Sequence, residues 1–204
     1  MARPGTPTRV RKKSSPGAEQ TREALVDAAI AALREDGFGG ASARSIAARA
    51  GCNQGLVFYH FGSVANLLLA ALDEVSRRRL EEYERALSEV DDLPQLVAVA
   101  SRIFQEDLDE GYVTVLAEMI GGASSTPGLG PEVAKRIKPW RSFAKAAVDR
   151  VLGGTGLATD DVAHAIVAVY LGLELLAQLD GDRKPAAALF EQASTFAPLI
   201  GSLT

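Results

Sequence analysis

Residues 42–61 read SARSIAARAGCNQGLVFYHF. Two short helices joined by a tight turn account for the pattern. Ser42 is a good N-cap, and the first helix runs to about Arg49 before Gly51 ends it. Asn53 caps the second helix, which runs to about Phe61. Ile46, Ala47 and Ala50 form the inward face of the first, while Val57 and Phe61 anchor the second. Small residues at Ala47 and Ala50 let the two helices cross closely. This is the geometry of a helix-turn-helix, whose second helix lies in the major groove of DNA. That second helix is too short to be stable alone, so the flanking segments must hold it.

The flanks are suited to that task. From Glu19 onward Leu25, Ala28, Ala29, Ala32 and Leu33 recur at three- and four-residue spacing, which marks one buried helical face. Gly37 stops this helix, and Phe38 is placed to fold back on it. Ser63 starts a long amphipathic helix, to about Leu87, with Leu67, Leu68, Ala71, Leu72 and Val75 on one side. Helical periodicity then continues over residues 93–108 and 112–120. Residues 121–130 (GGASSTPGLG) form the clearest internal break. A segment over residues 131–152 follows, with Pro139 expected to kink it or divide it, and Gly153 and Gly154 at its end. Thr159 or Asp160 caps an apolar helix to about Leu179, Gly181 and Asp182 make a turn, and residues 185–200 form the last helix. No alternating segment is long enough for a sheet. The expected fold is all-α: a disordered basic arm (1–17), a three-helix helix-turn-helix head (18–62) and a helical body (63–204).

Charge divides the chain in the same place. The net charge is −4, yet residues 1–62 carry +4 and the remainder −8. A basic head that meets a polyanion and an acidic body with another task fit this asymmetry. The longest uninterrupted apolar stretch, Ala165 to Leu173, is nine residues, about half of the ~18–20 needed to span a bilayer, so no membrane partner is expected. No apolar segment follows the basic N-terminus, which argues against a secretory signal. A single cysteine, Cys52, fits a reducing cytoplasm. Asp160, Asp161 and His164 share a helical face, but two acids in a first turn are explained by capping and the helix dipole. With no nucleophile elbow, Walker loop or dinucleotide fingerprint, no catalytic residue, metal or cofactor is expected.

A helix starting near Glu19, then DGF at 36–38, then S-x-x-x-IA-x-x-AG-x-x-x-G-x-x-x-YHF at 42–61, then a long amphipathic helix, resembles the TetR family of bacterial transcriptional regulators. The likeness is dense over residues 19–75; beyond them only length and helical character match. It implies a homodimeric regulator, a repressor, that binds a palindromic double-stranded DNA operator, often near its own gene, and releases it on binding a small-molecule effector. It also implies that Asn53, Gln54, Gly55, Leu56, Phe58, Tyr59 and His60 occupy the recognition helix. Gln54 can pair bidentately with adenine, and Asn53 likewise if capping does not engage it. Gly55 lets the backbone approach the groove, Leu56 suits a thymine methyl, and Tyr59 and His60 reach phosphate oxygens. Ser42 and Arg44 touch the flanking backbone with help from the helix dipole, and Ser63 completes the DNA-facing set. The competing reading makes Phe58 or Tyr59 core aromatics and His60 a packing residue.

Two departures weaken the phosphate clamp. Phe58 stands where the family often has tyrosine, and Val64 where it usually has lysine. The arm residues Arg9, Arg11, Lys12 and Lys13 can compensate by following the backbone or entering a minor groove. In that case deleting residues 1–17 flattens the salt dependence of binding.

For the body, two tasks are expected. Ile166, Val167, Val169, Tyr170, Leu173, Leu176 and Phe190 exceed what one small core can hold, so the last two helices are expected to meet a symmetric copy in a four-helix interface. Phe104, Tyr112, Met119, Trp140 and Phe143 are spaced to line a cavity, with Glu118, His164, Glu174 and Gln178 as its polar groups. The long fourth helix is the lever between the two ends. A reading from another class is a helical small-molecule-binding protein or enzyme on the same scaffold without specific DNA binding.

Overall fold

The computed structural model describes residues 16–88, 90–152, 156 and 158–201. Among them lie nine helices and no strand. The expected arm and the Gly153–Gly154 stop lie outside the described residues, except that Pro16 and Gly17 already belong to the first helix.

Helix α1 (Pro16–Gly40) buries Leu25, Ala28, Ala29, Ala32 and Leu33 along one face, as the periodicity requires. It kinks at Gly37, whose backbone (φ 70°, ψ 179°) is open to glycine alone. Helix α2 (Ala43–Arg49) is closed by a capping box. Ser42 Oγ accepts from the Ser45 amide at 3.1 Å, and the Ser42 amide donates to Ser45 Oγ at 2.9 Å. Helix α3 (Gly55–Phe61) follows after a short turn, and Ser63 caps α4 (Val64–Leu87) by accepting from the Asn66 amide. The remaining helices are α5 (Leu93–Glu110), α6 (Tyr112–Ala123), α7 (Leu129–Leu152), α8 (Thr159–Asp180) and α9 (Lys184–Gly201).

One apolar core joins α1, α2, α3, α4, α6 and α7. Leu25, Leu33, Ile46, Val57 and Leu67 are wholly inaccessible in it, each stabilising the fold by about 1.5–3 kcal/mol. This core runs without a seam from the expected head into the first part of the expected body. A second, smaller core between α5, α8 and α9 gathers Phe104, Leu108, Ala177 and Ala186 with Tyr170, Leu173 and Phe190.

Three sequence expectations change. The break at 121–130 is short, because α6 runs to Ala123 and α7 starts at Leu129. Gly122 stays helical with good reason: a Cβ there would lie 2.3 Å from the Phe38 ring, so the ring takes the space a side chain would need. Pro139 does not divide α7, a single helix of 24 residues. The proline is exposed, and its neighbours Arg136 and Trp140 tie the helix to α4 through Asp73 and Ser76. Finally, α8 is 22 residues long with a mean hydropathy of 1.7 over its most apolar stretch, enough by length and composition to cross a bilayer. Counting uninterrupted apolar residues missed this, since Glu174 and Gln178 interrupt the run without lowering the mean far. Only 17% of that stretch is buried within the chain.

Candidate functional site

The turn between α2 and α3 presents a polar and aromatic edge. Val57 is buried and pins α3 to the core, while Phe61 packs against it from the rim. With that face fixed, the opposite face must point outward. Gln54 and Gly55 are exposed, Phe58 is 52% and Tyr59 78% exposed, and Leu56 and His60 are half-buried. Phe58 and Tyr59 are therefore not core aromatics. His60 lies edge-on to Tyr59, with ring centroids 5.0 Å apart. Arg44, exposed and in no ion pair among the described residues, lines an open concavity of about 440 Å³ with Ala47, Ala48, Cys52, Asn53 and Gln54. Arg49 is committed instead to Glu35 and Asp36 on α1.

Three polar residues of this edge have local duties. Asn53 Oδ1 accepts from the Gly55 amide at 2.8 Å, so capping engages the oxygen that bidentate adenine pairing needs. Gln54, not Asn53, precedes the first helical residue, and its own side chain makes no cap. Ser42 and Ser63 hold helix starts with their hydroxyls. Val64 is half-buried against the core.

The second constellation lies inside the body. Arg79 and Tyr83 on α4, Asp107 on α5 and Glu174 on α8 are all buried, at 3%, 5%, 0% and 0% exposure. Arg79 donates to Asp107 and to Glu82, while Tyr83 and Tyr170 both donate to the other Asp107 oxygen. The Arg79 guanidinium sits 4.8 Å from the Tyr83 ring and 4.5 Å from that of Tyr112. Trp140 and Phe143 pack on Tyr83, and Phe104 meets Tyr170 edge to face at 5.4 Å. Neither carboxylate oxygen of Glu174 has a hydrogen-bond partner. Burial first, and the neighbouring Asp107 carboxylate second, push the Glu174 carboxyl up to about 8, with the Tyr170 hydroxyl only partly offsetting them. Burial also raises Asp107 above the usual carboxylate range, against the pull of its two tyrosines and Arg79.

Of the residues expected to line a cavity, Phe104, Tyr112, Trp140, Phe143 and Glu174 converge on this buried cluster. Glu118, Met119, His164 and Gln178 do not. Glu118 accepts from the Phe38 amide at 2.7 Å beside the α1 kink, and Met119 is wholly buried in the larger core. His164 is exposed on α8, and Gln178 accepts from Thr114 at 3.0 Å on the surface. Arg79, Tyr83 and Asp107 were missed, although the four-residue spacing of Val75, Arg79 and Tyr83 carries the buried face of α4 straight through the arginine.

The helix-turn-helix and its flanks, residues 25–71, match the family described as bacterial regulatory proteins, tetR family. This helix-turn-helix segment is of the TetR family. The HTH-type transcriptional regulator Rv2912c of Mycobacterium tuberculosis is 29% identical over 149 residues, 72% of this chain and 68% of that one. A TetR-family member from Streptomyces coelicolor superposes with a TM-score of 0.64 at 27% identity, covering 85% and 97% of the two chains. The multidrug-binding protein EbrR, solved with imidazole, gives 0.60 at 25% identity, over 84% and 93%. The remaining residues expected in the body fall into two groups. Ile166, Val169 and Leu176 are exposed on α8, joined by Leu175, Leu179, Leu189 and Phe196. Tyr170, Leu173 and Phe190, expected at the same interface, instead turn inward to the smaller core, because Phe104 and Leu108 of α5 lie beneath them.

Proposed function

We propose that this regulator represses transcription by binding a palindromic operator as a homodimer in the cytoplasm, with α3 in the major groove, and that a small molecule entering the body releases it. The observation that carries the reading is the exposure of Tyr59 and Phe58 beside Gln54 on a helix whose other face is locked by Val57. An aromatic left 78% exposed gains nothing from folding. At a phosphate backbone its hydroxyl gains an acceptor. Gln54 reads adenine with both ends of its carboxamide, Leu56 and Gly55 permit close approach, and Arg44 meets the flanking phosphates. Asn53 and the two serines support this surface by fixing helix starts.

The exposed apolar face of α8 and α9, from Ile166 and Val169 through Leu176 and Leu179 to Phe196, supports a second copy of the chain as its cover. A dimer places two α3 helices about one DNA turn, ~34 Å, apart. The residue ranges assigned to head and body describe this division of labour. Helix α4 carries both ends of it: Leu67 to Val75 under the head, Arg79 and Tyr83 in the buried cluster. An effector that prefers one arrangement of α4 a hundredfold couples the two sites by about 2.7 kcal/mol.

The test is a mobility shift with DNA from upstream of the gene. The wild-type chain retards it, and Gln54→Ala abolishes the shift. No retardation at low salt would favour the second reading, a small-molecule-binding protein without DNA function, for which the missing cation at Val64 is the supporting observation.

A further inference from the structure

The second half of α4 is held to the body by buried polar groups whose charges balance only with a proton. Arg79 and Tyr83 of α4 both donate to Asp107 of α5, and Tyr170 of α8 donates to the same Asp107 oxygen as Tyr83. Glu174, one turn after Tyr170 on α8, is wholly inaccessible, and neither of its oxygens is placed to accept a hydrogen bond.

One guanidinium therefore stands among two deeply buried carboxyls. Arg79 is bonded to Asp107 and to the solvent-facing Glu82, and lies between the Tyr83 and Tyr112 rings. Its charge answers that of Asp107. The other elements around the cluster bring rings and no charge: Trp140 and Phe143 of α7 on Tyr83, and Phe190 of α9 on Phe104. An ionised Glu174 would be an unpaired anion beside a second carboxylate, away from water. A neutral Glu174 instead offers a hydroxyl, and the Asp107 carboxylate within its reach accepts it. That bond exists only while the proton does. Burial, and then the Asp107 charge, accordingly place the Glu174 carboxyl at about 8.

We propose that Glu174 and Asp107 share one proton that fastens α4 to α5 and α8, and that its departure to solvent releases α4. When water or buffer takes the proton, the neutral acid and its carboxylate partner become two carboxylates. The buried set of Arg79, Asp107 and Glu174 then goes from neutral to singly negative. The repulsion falls on Asp107, the common anchor of Arg79, Tyr83 and Tyr170. Separation of α8 from α5 relieves it and takes the Tyr170 bond away. The first half of α4 lies in the core beneath the helix-turn-helix, so a loosened α4 alters how the recognition helix is held. The device thus makes the protein sensitive to mild alkali. Its effect on DNA rests on the operator reading; the tie itself does not.

Trp140, the sole tryptophan, reports on the tie. Its ring meets that of Tyr83 at 5.7 Å, and its indole N–H donates to Ser76 of α4 at 3.0 Å. The experiment titrates the full chain without DNA from roughly pH 6 to 9.5 and follows Trp140 fluorescence. The wild type is expected to show a transition centred near 8. Glu174→Gln, which keeps a neutral donor for Asp107 at every pH, should lack it. Carbon-13 spectra of the wild type labelled at glutamate carboxyls need no variant, and should show a resonance with the same midpoint. Operator affinity should then fall about three- to tenfold between pH 7 and 9 in the wild type beyond any change in Glu174→Gln, as loss of one linked proton allows. Absence of a glutamate titrating between 7 and 9 overturns the proposal. So does a fluorescence transition that Glu174→Gln retains, or operator binding equally dependent on pH in both chains. Failure to bind operator at any pH would count against the regulator reading alone, because the two titrations without DNA still decide the tie.

Discussion

In the helix-turn-helix, rings face water and side-chain oxygens close the backbone; in the buried cluster of the body, rings face each other and a carboxylate is left open. Tyr59 and Phe58 stand out from α3, while Asn53, Ser42 and Ser63 complete the helix starts around them. Around Asp107, aromatic side chains from the five helices α4 to α8 enclose the Arg79–Asp107 ion pair, yet neither Glu174 oxygen is placed to accept a hydrogen bond. The two ends are incomplete in opposite senses. The outer surface is finished as protein and has contacts to offer something large. The interior is well filled and has contacts to offer something small.

The largest effect tests the dimer, on which the outer surface depends. Changing Leu176 and Leu179 to Glu sets like charges face to face across the proposed twofold axis, at a cost of several kcal/mol. Sedimentation is expected to shift to monomer, and operator affinity to fall at least a hundredfold. A dimer that survives moves the interface elsewhere. Next, Tyr59→Ala or Gln54→Ala should weaken operator binding by about 1–3 kcal/mol, roughly ten- to a hundredfold, with an unchanged melting temperature because both side chains are exposed. A loss of stability in place of affinity would make the outer edge structural, and the comparison would fail there.

The buried cluster responds to pH. With its folded carboxyl raised to about 8 and its unfolded value near the usual 4.5, Glu174 holds a proton in the folded chain that the unfolded chain has lost. Stability contributed this way is full below about 4.5 and declines as pH rises through 8, by at most about 1.4 kcal/mol per unit. Urea unfolding at pH 5.5 and 7.5 should therefore differ by about 2.5 kcal/mol more in the wild type than in Glu174→Gln. Identical slopes would mean that Glu174 is partnered after all. The smallest effect is Ser42→Ala, expected to cost about 1 kcal/mol by opening the capping box, read by thermal unfolding.

The larger core was legible because helical periodicity survives in it: Leu25 to Leu33 and Leu67 to Val75 are buried as their spacing requires. The outward edge of α3 followed from the same rule, once Val57 was placed inside. The buried cluster was harder. A charged residue in an apolar register reads as the end of a buried face, so Arg79 and Asp107 passed for surface. Glu118 looked like a pocket residue because its true partner, the Phe38 amide, is 80 positions away in the chain. Apolar periodicity also does not distinguish burial within a chain from burial between chains. Tyr170, Leu173 and Phe190 were therefore grouped with Ile166, Val169 and Leu176, though α5 covers the first three and leaves the others open.

The seat of Phe38 on Gly122 has a mechanical meaning. The ring belongs to the end of α1 and its socket to α6, and the socket exists only because no Cβ fills it. Glu118, one turn earlier on α6, grips the amide of the same phenylalanine. The two helices are thus geared like a tooth in a notch: α6 cannot slide along its axis without dragging the hinge at Gly37, and with it the angle at which the first helix meets the rest.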